Sequence, residues 1–501
     1  MTSPTWGRPD QVPSAIIVGS GPNGLAAALT LAADGVDVTV LEASDSIGGG
    51  TRSGEMTLPG LLHDKCSGFH PLAVDTGFSR QFNLEANGVQ WAWPDVQYSH
   101  PLDGGGGADG GRGGLAGIGG EGGRGAAVWR SVDRTAAGLD DDDDSYRRMF
   151  GPLTERFPEI VGEFLQPLAH VPDHPIYLAR FGLYAAMPAG VLSRRWQTEE
   201  ARALFAGVAA HAFRPLNSVM SSAIGVALGT AAHRYGWPVA VGGSASISSA
   251  IATMLRARGG RIETGVTVRD HRELAGADVV MLDTSPSAAA GILDGLLPAR
   301  VNRAYRRFRH GPAAFQVAFA VDGGIPWAHG PSRSAGTVHV GGSFSEIADA
   351  EKQVVRGEMP QRPFVLVGQQ SVADPARARD GVHPVDAYAH VPAGWPGDAT
   401  QAIIDQIERF APGFRDRVVA THARSAQGIE RDNANYVGGD IVTGANTPLQ
   451  LVFRPRVALD PYSTGVPGMY ICSAAAPPGA GAHGMAGWNA ARSALRYLER
   501  R

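Results

Sequence analysis

The chain has 501 residues, 44 basic and 48 acidic, for a formal net charge of −4. That length suits about three units of roughly 150 residues each, and the near-neutral charge gives no electrostatic case for nucleic acid or an anionic membrane surface. Cys66 and Cys472 are the only cysteines, which excludes a disulfide scaffold, a zinc ribbon and a CxxC redox pair. No apolar run reaches the roughly 18 residues of a spanning helix, and the N-terminus MTSPTWGRPDQVPS lacks the layout of a signal peptide. With no transit peptide evident either, a cytoplasmic location is expected. Lysine occurs only at Lys65 and Lys352.

The first predicted element is Ser14–Gly19, an apolar run that reads as a buried parallel strand. Gly19-Ser20-Gly21-Pro22-Asn23-Gly24 follows, then Leu25–Ala33, rich in strong helix formers and stopped by Gly35. Val36–Leu41 alternates as a second strand and ends at Glu42, completing a βαβ unit. The GxGxxG spacing alone says little in a chain with 67 glycines. Its context says more: it follows a strand, opens a helix and has an acid 18 residues after the third glycine, at Glu42. Gly19 allows the tight turn, Gly21 lets the backbone approach a pyrophosphate, and Gly24 lets helix and strand pack closely. The free N–H groups of the helix start, with Ser20, Pro22 and Asn23 in the loop, face the phosphates. Glu42, with Ala43 beside it, takes the adenosine ribose hydroxyls.

Residues 104–125 hold 14 glycines in 22 positions, a composition that predicts a disordered surface insertion. The aspartate run Asp140–Asp144 is expected to form a solvated cap on a helix beginning near Tyr146, in preference to a metal site; no metal ligands are assigned. Residues 145–235 read as mostly helical. A helix over 244–258, a strand over 261–268 broken by Gly265 and a strand over 278–283 come next. After about residue 300 short strands at 314–321, 337–341, 364–369 and 387–391, with a helix at 399–409, predict a mixed, largely antiparallel sheet. The strand 468–473, a glycine-rich turn and a helix over 485–500 return to the first theme.

This last block, Tyr470-Ile-Cys-Ser-Ala-Ala-Ala-Pro-Pro-Gly-Ala-Gly-Ala-His-Gly-Met485, favours FAD over NAD. A second helix start at the far end of a long cofactor can stabilise negative charge on the N1–C2=O edge of a reduced flavin. Glu42-Ala-Ser-Asp-Ser-Ile-Gly48-Gly49-Gly50-Thr51-Arg52 matches the flavoprotein pattern of an acid, then a glycine pair, then arginine. Here Gly50 occupies the arginine position and the nearest arginine is Arg52.

With these blocks in view, and with WPVAVGGSASI (237–247) and NYVGGDIVTGA (435–445), the chain resembles the phytoene desaturase-like flavoproteins. It is closest to their pyridine nucleotide-disulfide oxidoreductase domain-containing protein 2 branch. The resemblance implies an α/β (α+β) fold: a discontinuous Rossmann-type FAD/NAD(P)-binding domain (13–75, 237–300, 456–501) with an inserted mixed-sheet and helical substrate domain (76–236, 301–455). It implies non-covalent FAD, held by Gly49, Gly50, Thr51 and Arg52 as well as the first loop, with Val268 at the adenine end and Ser473 and Met485 near the pyrophosphate and flavin ring. It also admits a mitochondrial matrix location.

The implied reaction is hydride transfer from the C–H bond of an apolar small-molecule substrate to flavin N5. A lid or peripheral membrane contact at 145–235 is one expectation; the oligomeric state is left open. His483 and His70 are the candidate proton handlers, each weighed against a loop-stabilising role. His211 and His233 read as packing or surface residues. Arg454 and Asp440 either line the substrate cavity or pair structurally. Two alternatives stay open: an amine oxidase-like enzyme, disfavoured by the lack of a suitably placed lysine, and a flavin-binding regulatory protein with weak turnover.

Overall fold

The structure, a computed structural model, describes residues 12–104 and 123–500. Most of the glycine-rich segment 104–125 therefore lies outside the described residues; its last two residues, Arg124 and Gly125, begin the strand Arg124–Trp129.

Two sheets organise the molecule. The first is five-stranded and wholly parallel, in the order Met469–Ile471, Val279–Leu282, Ser14–Val18, Asp37–Leu41, Arg261–Glu263. Its central strands Val279–Leu282 and Ser14–Val18 are short and largely apolar, as in sheets covered by helices on both sides, while the edge strand Arg261–Glu263 is polar and largely exposed. Helix Pro22–Ala33 packs on one face, its alanine-rich surface letting helix Met485–Leu498 approach closely. A Cβ on Gly487 would overlap Asn23 O, so only glycine permits that crossing. The predicted strand over 261–268 stops at Glu263: Gly265 turns with φ +73°. The chain still runs beside Glu42, which accepts from Val266 N.

The second sheet has seven strands, in the order Val418–Arg424, Ala313–Asp322, Val382–Val391, Val365–Gly368, Ala335–Val340, Val96–Leu102, Arg124–Trp129. It is antiparallel except where Ala335–Val340 pairs with Val96–Leu102. One face forms an apolar core with helix Thr400–Phe410, centred on Phe319, Trp327 and Phe414. Strand alternation aims Thr337 and His339, and likewise Tyr388 and His390, at the opposite face. There lie helices Phe157–Phe164, Pro175–Ala185, Glu199–Ala210 and Ser222–Arg234. Among the described residues no single helix is long and apolar enough to cross a membrane.

The aspartate run divides. Asp143 and Asp144 start helix Asp143–Glu155 and meet Arg147 and Arg148 one turn on, as a solvated cap should. Asp142, by contrast, is 1% exposed. Its carboxylate accepts from Gln197 N, Thr198 N and Thr198 Oγ1 at 2.6–3.0 Å, locking the start of helix Glu199–Ala210 to the preceding layer.

Candidate active site

A cavity of about 1020 Å³ reaches from the ends of the parallel strands to the histidine-bearing face of the second sheet. Pockets for one drug-sized ligand run to roughly 300–1,000 Å³, so this space suits a long ligand or a ligand pair. Its position at the carboxyl ends of Ser14–Val18 and Val279–Leu282, where strand order reverses, is the usual crevice of an open parallel sheet.

Gly19, Ser20, Gly21, Pro22, Asn23, Glu42, Ala43, Gly49, Gly50, Thr51, Arg52, His70, Val268, Ser473 and His483 all border the cavity. Two predicted residues do not. Gly24 sits behind the loop and gives its N–H to Asp283 Oδ2 at 3.0 Å. Met485 lies in the apolar core with Leu25 and Phe78, placed there because it opens the last helix on its inward face.

Asp283, which sequence reading left out of the site, accounts for the glycines. It leaves the strand next to the nucleotide loop and inserts its carboxyl beneath it. A Cβ on Gly21 would come within 2.6 Å of Asp283 Oδ2, and one on Gly24 would overlap Gly19 O and reach 2.8 Å from the same oxygen. The spacing thus makes room for a buried acid as well as for a backbone approach. Burial pushes the Asp283 carboxyl up to about 7; nearby Glu42 adds to this, while the Gly24 and Gly21 N–H groups pull it back.

Glu42 is pre-positioned, accepting from Ser20 N on Oε2 and from Ser44 N on Oε1, both at 2.8 Å. Gly49 stacks on the loop, where a Cβ would lie 3.1 Å from Gly21 Cα. At Gly50 a Cβ would overlap Tyr436 Oη, so with Tyr436 in this position no side chain fits there. Arg52 is held by Gly49 O at 3.0 Å and by Asp432 at 3.3 Å, so its guanidinium is already engaged. Two polar atoms beside the loop, Asn23 Oδ1 and Thr284 Oγ1, are buried with no hydrogen-bond partner. Such an atom costs about 1–3 kcal/mol when left unsatisfied, and both residues border the cavity. They mark where a bound dinucleotide would complete the site.

At the second glycine turn His483 Nδ1 accepts from Met485 N at 3.1 Å and so caps the last helix. Burial lowers its pKa to about 4, with a backbone contact at Ala480 only partly offsetting this. His70 Nε2 lies 2.9 Å from Ser244 Oγ, whose own hydrogen goes to Ser67 O. The ring must therefore carry its proton on Nε2. Burial lowers His70 to about 4 as well. Both rings are neutral and committed at neutral pH, with pKa values far from that of an efficient general base. In this arrangement both rings tie down their loops, with His70 and His483 still bordering the cavity. Arg454 borders the cavity and donates to Gln450 O, Ala474 O and Asn446 Oδ1, all neutral. Asp440 is buried off the cavity, accepting from Gly311 N and Gly444 N at 2.8 Å.

The deep end is an apolar chamber walled by Phe164, Leu178, Phe181, Ala223, Leu228 and Leu451. Thr337, Leu366 and Tyr388 form its floor, and His211, expected to be a packing or surface residue, borders it. His211 closes the end of helix Glu199–Ala210, and this position turns its ring inward. Neither lysine borders the cavity; Lys352 lies in helix Phe344–Val355. Cys66 borders it, Cys472 does not, and the two are free thiols.

Residues 17–76 match the NAD(P)-binding Rossmann-like domain family. The chain is 25% identical to pyridine nucleotide-disulfide oxidoreductase domain-containing protein 2 of Mus musculus across 99% of this chain and 97% of that protein. A solved putrescine oxidase shares the fold with a TM-score of 0.59 and 15% identity, covering 98% of this chain and all of that one. Cyclohexylamine oxidase from Brevibacterium oxydans gives 0.53 and 16%, with 98% and 99% covered. At such identities the likeness speaks for the fold. The chain has a Rossmann-like dinucleotide-binding oxidoreductase fold, shared with these amine oxidases, and is similar along its whole length to pyridine nucleotide-disulfide oxidoreductase domain-containing protein 2.

Proposed function

We propose that this protein is an FAD-dependent oxidoreductase that takes hydride from a C–H bond of an apolar small molecule. The carrying observation is one continuous cavity that joins a nucleotide loop, a second glycine turn and an apolar chamber. FAD, when bound without a covalent link, supplies the hydride acceptor at N5. The first loop and Glu42 would hold the adenosine and pyrophosphate, and Asn23 and Thr284 would gain the partners they lack. The turn at Ser473–His483 and the start of helix Met485–Leu498 would face the isoalloxazine, where the helix dipole favours negative charge. The chamber walls exclude water and orient the substrate by shape.

The relative's name mentions disulfides, but a dithiol relay needs paired cysteines, and Cys66 and Cys472 stand alone on separate elements. An amine oxidase-like reading draws on the shared fold alone. Against it, the carboxylates bordering the cavity (Glu42, Asp283 and Asp432) cluster at the nucleotide end, so no anion awaits an ammonium in the chamber. The test is the visible spectrum of the purified protein. Flavin absorption near roughly 450 nm that passes into the supernatant on acid release, and bleaches anaerobically with an apolar substrate, is expected. A colourless protein that takes up no added FAD refutes the cofactor; a bound flavin that no substrate reduces favours a regulatory role.

A further inference from the structure

The floor of the chamber carries a buried polar group that the proposed hydride chemistry does not use. His211 Nε2 and His339 Nε2 stand 2.9 Å apart, with the rings edge to face at 86°. His339 is fully buried on strand Ala335–Val340. Two residues before it on the same face, Thr337 borders the chamber with its Oγ1 buried and without a partner. In register across Leu366 lies Tyr388, also on the chamber floor. Trp237 meets the His211 ring edge-on at 5.6 Å and fixes its plane.

The hydrogen count of this pair is restrictive. Two imidazoles joined through their Nε2 atoms share a single N–H, so one ring donates and the other accepts. His339 keeps its Nδ1 buried and unpaired. His211 spends Nε2 on His339, which leaves Nδ1 as the ring atom available to a ligand at the chamber. Burial, with His390 nearby, lowers His211 to about 3, and burial with the imidazoles of His211, His100 and His390 holds His339 well below its ordinary value, so both rings are uncharged. The chamber end thus offers a neutral imidazole edge, the Thr337 hydroxyl and the Tyr388 phenol, and no carboxylate. Groups of that kind recognise an uncharged oxygen: a hydroxyl pairs with either tautomer of His211, and a carbonyl accepts from one of them. A desolvated ammonium would find no counter-charge there, and the Arg454 guanidinium that borders the cavity already gives its N–H groups to Gln450 O, Ala474 O and Asn446 Oδ1.

We propose that His211, oriented by His339 and joined by Thr337, is the specificity anchor of the chamber, and that the substrate is an apolar molecule bearing a neutral hydroxyl or carbonyl group. This rests on the reading of the chamber as the substrate site. His211 is a binding residue; His339 is a positioning residue acting through it.

The test uses the full chain with FAD added and four eight-carbon probes: octane, 1-octanol, octylamine and octanoate. Dissociation constants are read by calorimetry at neutral pH. The expected order has 1-octanol about tenfold tighter than each of the other three, the worth of one or two neutral hydrogen bonds in a dry site. His211→Leu should bring the ratio of 1-octanol to octane affinity down towards one. His211→Gln and His339→Gln, which keep a donor and an acceptor, should retain part of the preference. If a leucine variant does not fold, the wild-type ladder and the glutamine variants still decide. Octylamine or octanoate binding as tightly as 1-octanol, or a preference that survives His211→Leu, overturns the anchor while leaving the apolar chamber standing. Failure of all four probes, octane included, overturns the chamber as an apolar site and the anchor with it.

Discussion

Replacing Asp283 by asparagine isolates the most perturbed acid of the site. The amide keeps an oxygen for Gly24 N and nearly the same shape, and removes the charge. In the wild type the carboxyl is shifted from 3.8 to about 7 because the fold buries it. The folded protein then holds the proton more tightly than the unfolded chain. Stability is greatest below pH 3.8, falls as the pH rises towards 7, and is flat above. At pH 5 the cost of ionisation corresponds to about one pH unit, and at pH 8 to about three. At ~1.4 kcal/mol per unit, the wild type loses about 3 kcal/mol between those two conditions from this group alone. The Asp283→Asn variant should lose none of that. At pH 5 the folded carboxyl is still protonated, so the amide replaces one uncharged acceptor with another, and the variant should match the wild type or lead it by up to that one pH unit's worth, ~1.4 kcal/mol. Apparent Tm followed from pH 5 to pH 8.5 by calorimetry, with other groups common to both proteins, reads the difference. The variant should pull ahead steadily through pH 6–7. Two parallel curves would refute the argument, because they would mean that Asp283 titrates alike in the folded and unfolded chain.

Other substitutions probe separate joints of the structure. Gly487→Ala forces a methyl into Asn23 O; overpacking of this kind costs about 1–3 kcal/mol or more, and the measured Tm should fall accordingly with loss of flavin retention. Asp142→Ala strips three donors at the start of helix Glu199–Ala210 of their acceptor. At about 1–3 kcal/mol for a buried unsatisfied group, it should destabilise the chain by roughly 3 kcal/mol in urea unfolding, far more than Asp144→Ala on the exposed side of the run. His483→Asn should preserve the cap on Met485 N and hold anaerobic bleaching within a few-fold of wild type. A pH-dependent collapse of the bleaching rate in that variant would instead make His483 a proton handler.

The parallel sheet was legible because its central strands, Ser14–Val18 and Val279–Leu282, are apolar runs and its loop obeys a spacing with a steric cause. Helix 485–498 was readable for the same reason: its start follows glycines, and its apolar residues recur at helical period. Strand Val96–Leu102 was not. Its sequence, Val-Gln-Tyr-Ser-His-Pro-Leu, mixes polar residues and a proline, yet it is buried on both faces. The polar groups are satisfied far along the chain, Ser99 by Ser332 and His100 by Gly342 O. No local pattern encodes partners more than 200 residues away. Strand Val418–Arg424 failed to register for the opposite cause, being an edge strand with alternating exposed positions and no apolar run.

The same distinction separates what the site showed in sequence from what it hid. Gly19, Gly21, Gly24 and Glu42 act within one βαβ unit, so spacing suffices to find them. Asp283 acts from 259 residues beyond Gly24, and its only local signal was an acid closing an apolar strand, a place where acids are unremarkable. The histidines show the limit most clearly. His483 and His70 stand inside recognisable loops and invited a chemical role, and the structure adds hydrogen bonds to Met485 N and Ser244 Oγ by which they also hold those loops. His211 stood in an alanine-rich helix with nothing nearby to single it out, and its meaning arises only when the second sheet brings His339 to its ring. A histidine's role is set by which of its two nitrogens is left over, and that count is a property of the folded neighbourhood. For this chain the nucleotide-loop end of the cavity was written in local spacing, while the end proposed to select the substrate is assembled from helix 199–210 and strands 335–340 and 382–391.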